Sequence, residues 1–127
     1  MCIRDRERQQ FLRIADGMEK ASRENDDIAF MRYDQALNQL EAEASHNEYA
    51  QRAMSQTHGL SRRFWYMHYK EAADLPLCAR LHAELARSIA EGDPDDAERA
   101  SDRLIDYVEE FTRATLDTLT PGRAVGR

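Results

Sequence analysis

At 127 residues the chain has the size of one domain, large enough to bury an apolar core and small for two. Its formal net charge of −6 argues against a nucleic-acid binder acting through this domain alone, because phosphate contacts require a basic surface. No apolar run reaches membrane-spanning length and MCIRDRERQQ lacks the apolar stretch of a signal peptide, so a cytoplasmic protein with no membrane partner is expected.

The first predicted helix covers about residues 4–22, where Phe11, Ile14, Ala15, Met18 and Ala21 recur at spacings of three and four. The ENDD run at 24–27 breaks it and supplies a fresh cap. A second helix is expected over about 28–45, with Phe30, Tyr33, Leu37, Leu40 and Ala44 inward. Asp34 and Asn38 share one flank of it at i and i+4.

A long third helix is expected from residue 47 or 48 to about 71. Its inner side is read as Tyr49, Ala53, Gln56 or Thr57, Leu60, Phe64 and Met67 or His68, with Gly59 as a local bend. It carries RRFWYMHY at 62–69, four aromatics and a histidine between cations. Asp74 ahead of Leu75-Pro76 opens the fourth helix, because proline tolerates a first turn and aspartate caps free amides. Leu77, Leu81 and Leu85, with Cys78, His82 and Ile89, form an apolar stripe that has His82 inside it.

Gly92 is suited to the left-handed cap that ends this helix. Asp93 caps the fifth, with Pro94, Asp95 and Asp96 in its first turn. Ala97, Ala100, Leu104, Val108, Phe111 and Thr115 mark its inner face. Residues 120–127, TPGRAVGR, hold stop signals without a pattern, and a flexible tail is expected. Strand alternation is absent. The fold class is therefore all-α, an antiparallel bundle of about five helices. Cys2 and Cys78 make no disulfide framework, and a buried free thiol at Cys78 fits a reducing compartment.

Three segments in this order, DQALNQLEAEASHNEYAQRAM, RRFWYMHY and LHAELARSIAEGDPDDAERASDRL, resemble the effector domain of GntR-type transcription regulators, in its FadR C-terminal (FCD) branch. The likeness assigns 11–119 to an FCD-like domain, 1–10 to an unmatched lead-in and 120–127 to the tail. It implies a helical cup for a small organic acid, a homodimer, and DNA contact only through an attached winged helix-turn-helix domain. No segment here resembles that domain, nor the first effector-domain helix, so a truncated chain is expected.

The resemblance also implies a divalent metal, zinc or similar, held in the family by one Asp and three His. Asp34 and His82 match; Asn38 stands at the first His and Leu104 at the last. Two good protein ligands rarely hold zinc. The same residues also describe an Asp34–Asn38–His82 hydrogen-bond cluster in an otherwise apolar interior. For a carboxylate ligand, Arg62 and Arg63 are the available guanidinium groups, with Arg63 the first choice. Asn38, Tyr66 and His68 complete the expected ligand-binding set, although arginines and aromatics at such positions also serve as surface and core.

Glu43 and His46 have the Glu-x-x-His spacing of di-metal bundles, but that chemistry needs two copies. His58, beside Gly59, is read as a surface histidine. No nucleophile–base pair, glycine-rich phosphate loop or Cys-x-x-Cys pair occurs, and an enzyme is not expected. The expected function is ligand sensing and dimerisation in a transcription regulator. A helical self-association module without ligand is the alternative.

Overall fold

A computed structural model describes residues 3–120. Cys2 and residues 121–127, most of the expected tail, lie outside the described residues. Among the described residues there are five helices and no strand: α1 (Asp5–Glu24), α2 (Asp27–Ala44), α3 (Glu48–Ala72), α4 (Leu75–Glu91) and α5 (Pro94–Leu119). The first of these begins inside the segment expected to be a lead-in.

Each boundary has a local cause. The Asp26 carboxylate accepts from the Ala29 amide at 3.0 Å, and Asn47 accepts from Tyr49 and Ala50. Asp74 caps α4 through Leu77 N at 3.1 Å, and Asp93 accepts from Asp95 and Asp96. Gly92 ends α4 at φ 82, in the left-handed region.

Helix directions follow from side-chain ties. Ser22 Oγ donates to the Pro76 carbonyl at 2.8 Å, while Arg87 pairs with Asp16 and Glu19, so α1 and α4 run antiparallel. His46 against Glu7 sets α2 against α1, and Tyr69 on Asp27 with Arg62 on Gln35 sets α3 against α2. Tyr107 on Asp74 and Arg103 on Glu84 do the same for α5 and α4. The result is an up-and-down antiparallel bundle.

Its core lies mainly between α1, α2 and α4. Phe11, Met18, Phe30 and Leu37 are fully buried, and α1 against α4 is the most extensive helix pair. Buried Ala79, Ala83, Ala86 and Ala90, at i, i+4, i+7 and i+11, leave room for that close approach.

Two expected inner faces need correction. No residue of α3 is buried, and Tyr49, Leu60 and Met67 are 82%, 71% and 68% exposed. Contact comes instead from Trp65 and Tyr69, which pack on the core; the Trp65 ring lies 5.6 Å from Phe30 and 4.9 Å from Phe111. The apolar residues of α3 are spread around its circumference, so the aromatic side that meets Phe30 and Phe111 decides which way it faces. On α5, Val108 is exposed and Tyr107 packs on the core in its place.

Gly17 has a packing role that Gly59 lacks. A Cβ at Gly17 would overlap the Tyr33 ring, whereas nothing lies within 4 Å of the same position at Gly59. Gly17→Ala gains about 1 kcal/mol of helix propensity and loses ~1–3 kcal/mol to overpacking, so a net loss of about 1 kcal/mol is expected. Gly59→Ala gains only the propensity, about 0.5–1 kcal/mol. Urea unfolding of both variants checks the opposite signs.

Candidate functional site

Residues Phe30, Asp34 and Glu41 recur along one side of α2, and His82 meets that side from α4. His82 is buried, at 9% exposure, and both ring nitrogens are engaged. Nδ1 lies 2.7 Å from the Cys78 carbonyl oxygen, which only accepts, so Nδ1 carries the proton. Nε2 faces Asp34 Oδ1 at 3.1 Å. Phe30 closes the site edge-on, its ring 5.3 Å from the imidazole, and the buried Cys78 thiol is 3.7 Å from Nδ1.

Burial opposes charge on His82. The hydrogen bonds to Asp34 and Cys78, with the neighbouring carboxylate, outweigh it and raise the ring well above its usual pKa. The 3.1 Å contact suits a charge-assisted hydrogen bond from Nε2 to Asp34.

Asn38 does not join that pair. It lines a groove of about 380 Å³ between the second half of α2 and the first half of α3, with Gln35, Gln51, Ser55, His58 and Arg62. Arg62 holds Gln35 at 3.4 Å across this groove and is half-buried, whereas Arg63 is exposed. Tyr66 is 48% exposed, with Arg62 over its ring at 5.9 Å. His68 packs against Phe64, 4.8 Å between ring centroids. Of the residues singled out in the sequence, Asp34 and His82 come together, and Asn38 and Arg62 come together one turn away. Arg63 lies outside both groups.

The donor set does not fit a zinc-type ion. Among the described residues no three His, Cys, Asp or Glu groups are arranged to hold a metal. Asp34 and His82 are directed at each other, Asn38 lines the groove, and half-buried Leu104 packs against the core.

Glu41, which the sequence did not single out, and Trp65, from the aromatic run on α3, also belong to this region. Glu41 Oε1 and Trp65 Nε1 are buried without a hydrogen-bond partner. Burial pushes the Glu41 carboxyl up to about 7, the charge of His82 pulling it down and that of Asp34 adding to the rise. The available signal was spacing: Glu41 follows Asp34 by seven residues and Leu37 by four, which places it on the inward side.

A family model described as the FCD domain matches residues 1–107, and the chain belongs to that family. FCD domains are the effector-binding, regulatory domains of GntR-type transcription regulators, which are not a known enzyme family. No curated protein and no solved structure matches the chain significantly. Among the described residues no helix is long and apolar enough to cross a membrane.

Both upward shifts mean that the folded chain holds protons the unfolded chain has released. The Glu41 contribution is complete below about pH 4.5 and lost as pH rises through about 7; that of His82 is lost only well above 6.5. Urea unfolding is therefore expected to show stability falling from about pH 5 to 7, above the range where Glu7 and Asp27, both held low, act in the other sense. Glu41→Gln should flatten that fall; an unchanged slope would show that the carboxyl is not buried in solution.

Proposed function

We propose that this chain is the ligand-sensing domain of a GntR-type regulator that takes a small carboxylate metabolite into the groove between α2 and α3. The observation that carries this reading is Arg62 and Asn38 sharing that groove, one helical turn from the buried Asp34–His82 pair. A guanidinium grips a carboxylate through two parallel hydrogen bonds, and the Asn38 amide adds a donor beside it. His58, also on the groove, supplies a further donor.

A sensor needs two packings of its helices with different affinities for the ligand. The element suited to this is α3, which has no buried residue and leans on the bundle through Trp65 and Tyr69. A ligand bridging Arg62 and Asn38 draws its first half toward α2. The changed position of α3 then alters how an attached DNA-binding domain is presented, within a cytoplasmic homodimer. Asp34 and His82 hold the inner wall by themselves, with no metal required.

A second reading, self-association without ligand, is favoured by one observation. Ile105, Val108, Leu116 and Leu119 are exposed along one side of α5. Both readings are open to direct test. In calorimetry with two- to six-carbon mono- and dicarboxylates, Arg62→Ala is expected to weaken binding about tenfold or more, ~1.4 kcal/mol, and Arg63→Ala to leave it unchanged. Failure of every acid to bind leaves only the self-association reading. Sedimentation tests that one separately: Val108→Glu should shift a dimer to monomer.

A further inference from the structure

The α2–α3 groove is lined by one guanidinium and one carboxylate, and they stand at opposite ends of it. Arg62 marks the first end, held at 3.4 Å against Gln35, a neutral amide that leaves its charge unanswered. Glu43 marks the other. Its Oε1 accepts from Gln39 at 3.0 Å, again a neutral amide. Neither Arg62 nor Glu43 belongs to an ion pair among the described residues.

The spacing of these ends sets a length. Gln35 and Glu43 are eight residues apart on α2, which is about 12 Å of helix axis. An extended chain advances about 3.3–3.6 Å per residue, so three residues span about 10–11 Å.

Between the ends the lining is neutral and hydrogen-bonding. Asn38, Gln39 and Gln51 are amides, each with a donor and an acceptor side, and Ser55 and His58 add to them. A peptide group has the same two functions, one N–H and one C=O. Gly59 also lines the groove, and a Cβ there would meet nothing within 4 Å. A ligand can therefore come close to the α3 backbone at that point. No large apolar side chain lines the groove among the described residues, so an acyl chain or a ring finds little to bury against.

We infer that the effector is a short peptide with free ends, about three residues long, its carboxylate on Arg62 and its ammonium on Glu43. This rests on the carboxylate-sensing reading above and adds the other end of the molecule. Each terminus supplies the charge its partner lacks, and charge-assisted hydrogen bonds are the stronger kind. A monocarboxylate of a few carbons meets Arg62 and leaves Glu43 unanswered. A dicarboxylate long enough to reach Glu43 sets two like charges together, which selects against it.

The test is calorimetry on the full chain with alanine, dialanine and trialanine, beside monocarboxylic acids of two to six carbons. Trialanine is expected to bind about tenfold tighter than dialanine or any plain acid. N-acetyl-trialanine and trialanine amide each lack one terminal charge, and each should lose about tenfold. Glu43→Gln should make the free and acetylated peptides equal, and Arg62→Gln the free and amidated ones. The blocked peptides probe both ends without any substitution, and melting points near the parent's show that the variants fold.

Plain acids that bind as tightly as trialanine, with Arg62 essential, overturn the inference and leave the carboxylate reading standing. Acetylation or Glu43→Gln without effect does the same, because the ammonium is then not on Glu43. Peptide binding that needs Glu43 but ignores Arg62 and amidation overturns both. If neither series binds, both are wrong.

Discussion

A charged histidine inside an apolar bundle is expensive unless every polar atom on it is answered. His82 meets that condition: the Cys78 carbonyl takes one ring proton and the Asp34 carboxylate takes the other. The bond spans α4 and α2, which touch over only a short stretch, so much of their registration rests on it. Phe30 lies edge-on to the imidazole and carries the contact outward to Trp65, the main attachment of α3. One ion pair and one aromatic relay thus tie α4, α2 and α3 together.

From this arrangement comes a bundle of uneven firmness. Helices α1, α2 and α4 share the buried core, and α1 fits α4 through a row of alanines. The first half of α3 stands away from the core, with a polar groove beneath it. Segments with few buried apolar contacts open at lower free energy than the core around them. The ligand proposed to bridge α2 and α3 would act where little resists it, beside the contact of Phe30 with Trp65 and His82.

Much of this was legible in the sequence because the signals were local. Aspartate caps, Gly92 and the three-and-four spacing on α4 depend on neighbouring residues alone, and they located the helices and turned His82 inward. The FCD resemblance was likewise legible, in three short segments in order. The inner side of α3 was not. Its apolar residues surround the helix, and only the partner aromatics Phe30 and Phe111 select a side. That Arg62 and not Arg63 lines the groove likewise emerges only from the tertiary packing. Glu41 escaped notice because glutamate on a helix is ordinarily solvated, and only the finished packing leaves its carboxyl sealed.

The central claim is that His82 is an imidazolium held by Asp34. Ring nitrogen NMR on ¹⁵N-histidine protein measures this directly, with Asp34→Asn as the comparison. At about pH 7.5 the account predicts that both His82 nitrogens are protonated, and that Nε2 loses its proton in Asp34→Asn. A neutral ring in the parent protein, protonated on Nδ1 only and titrating near the usual 6.5, would contradict it.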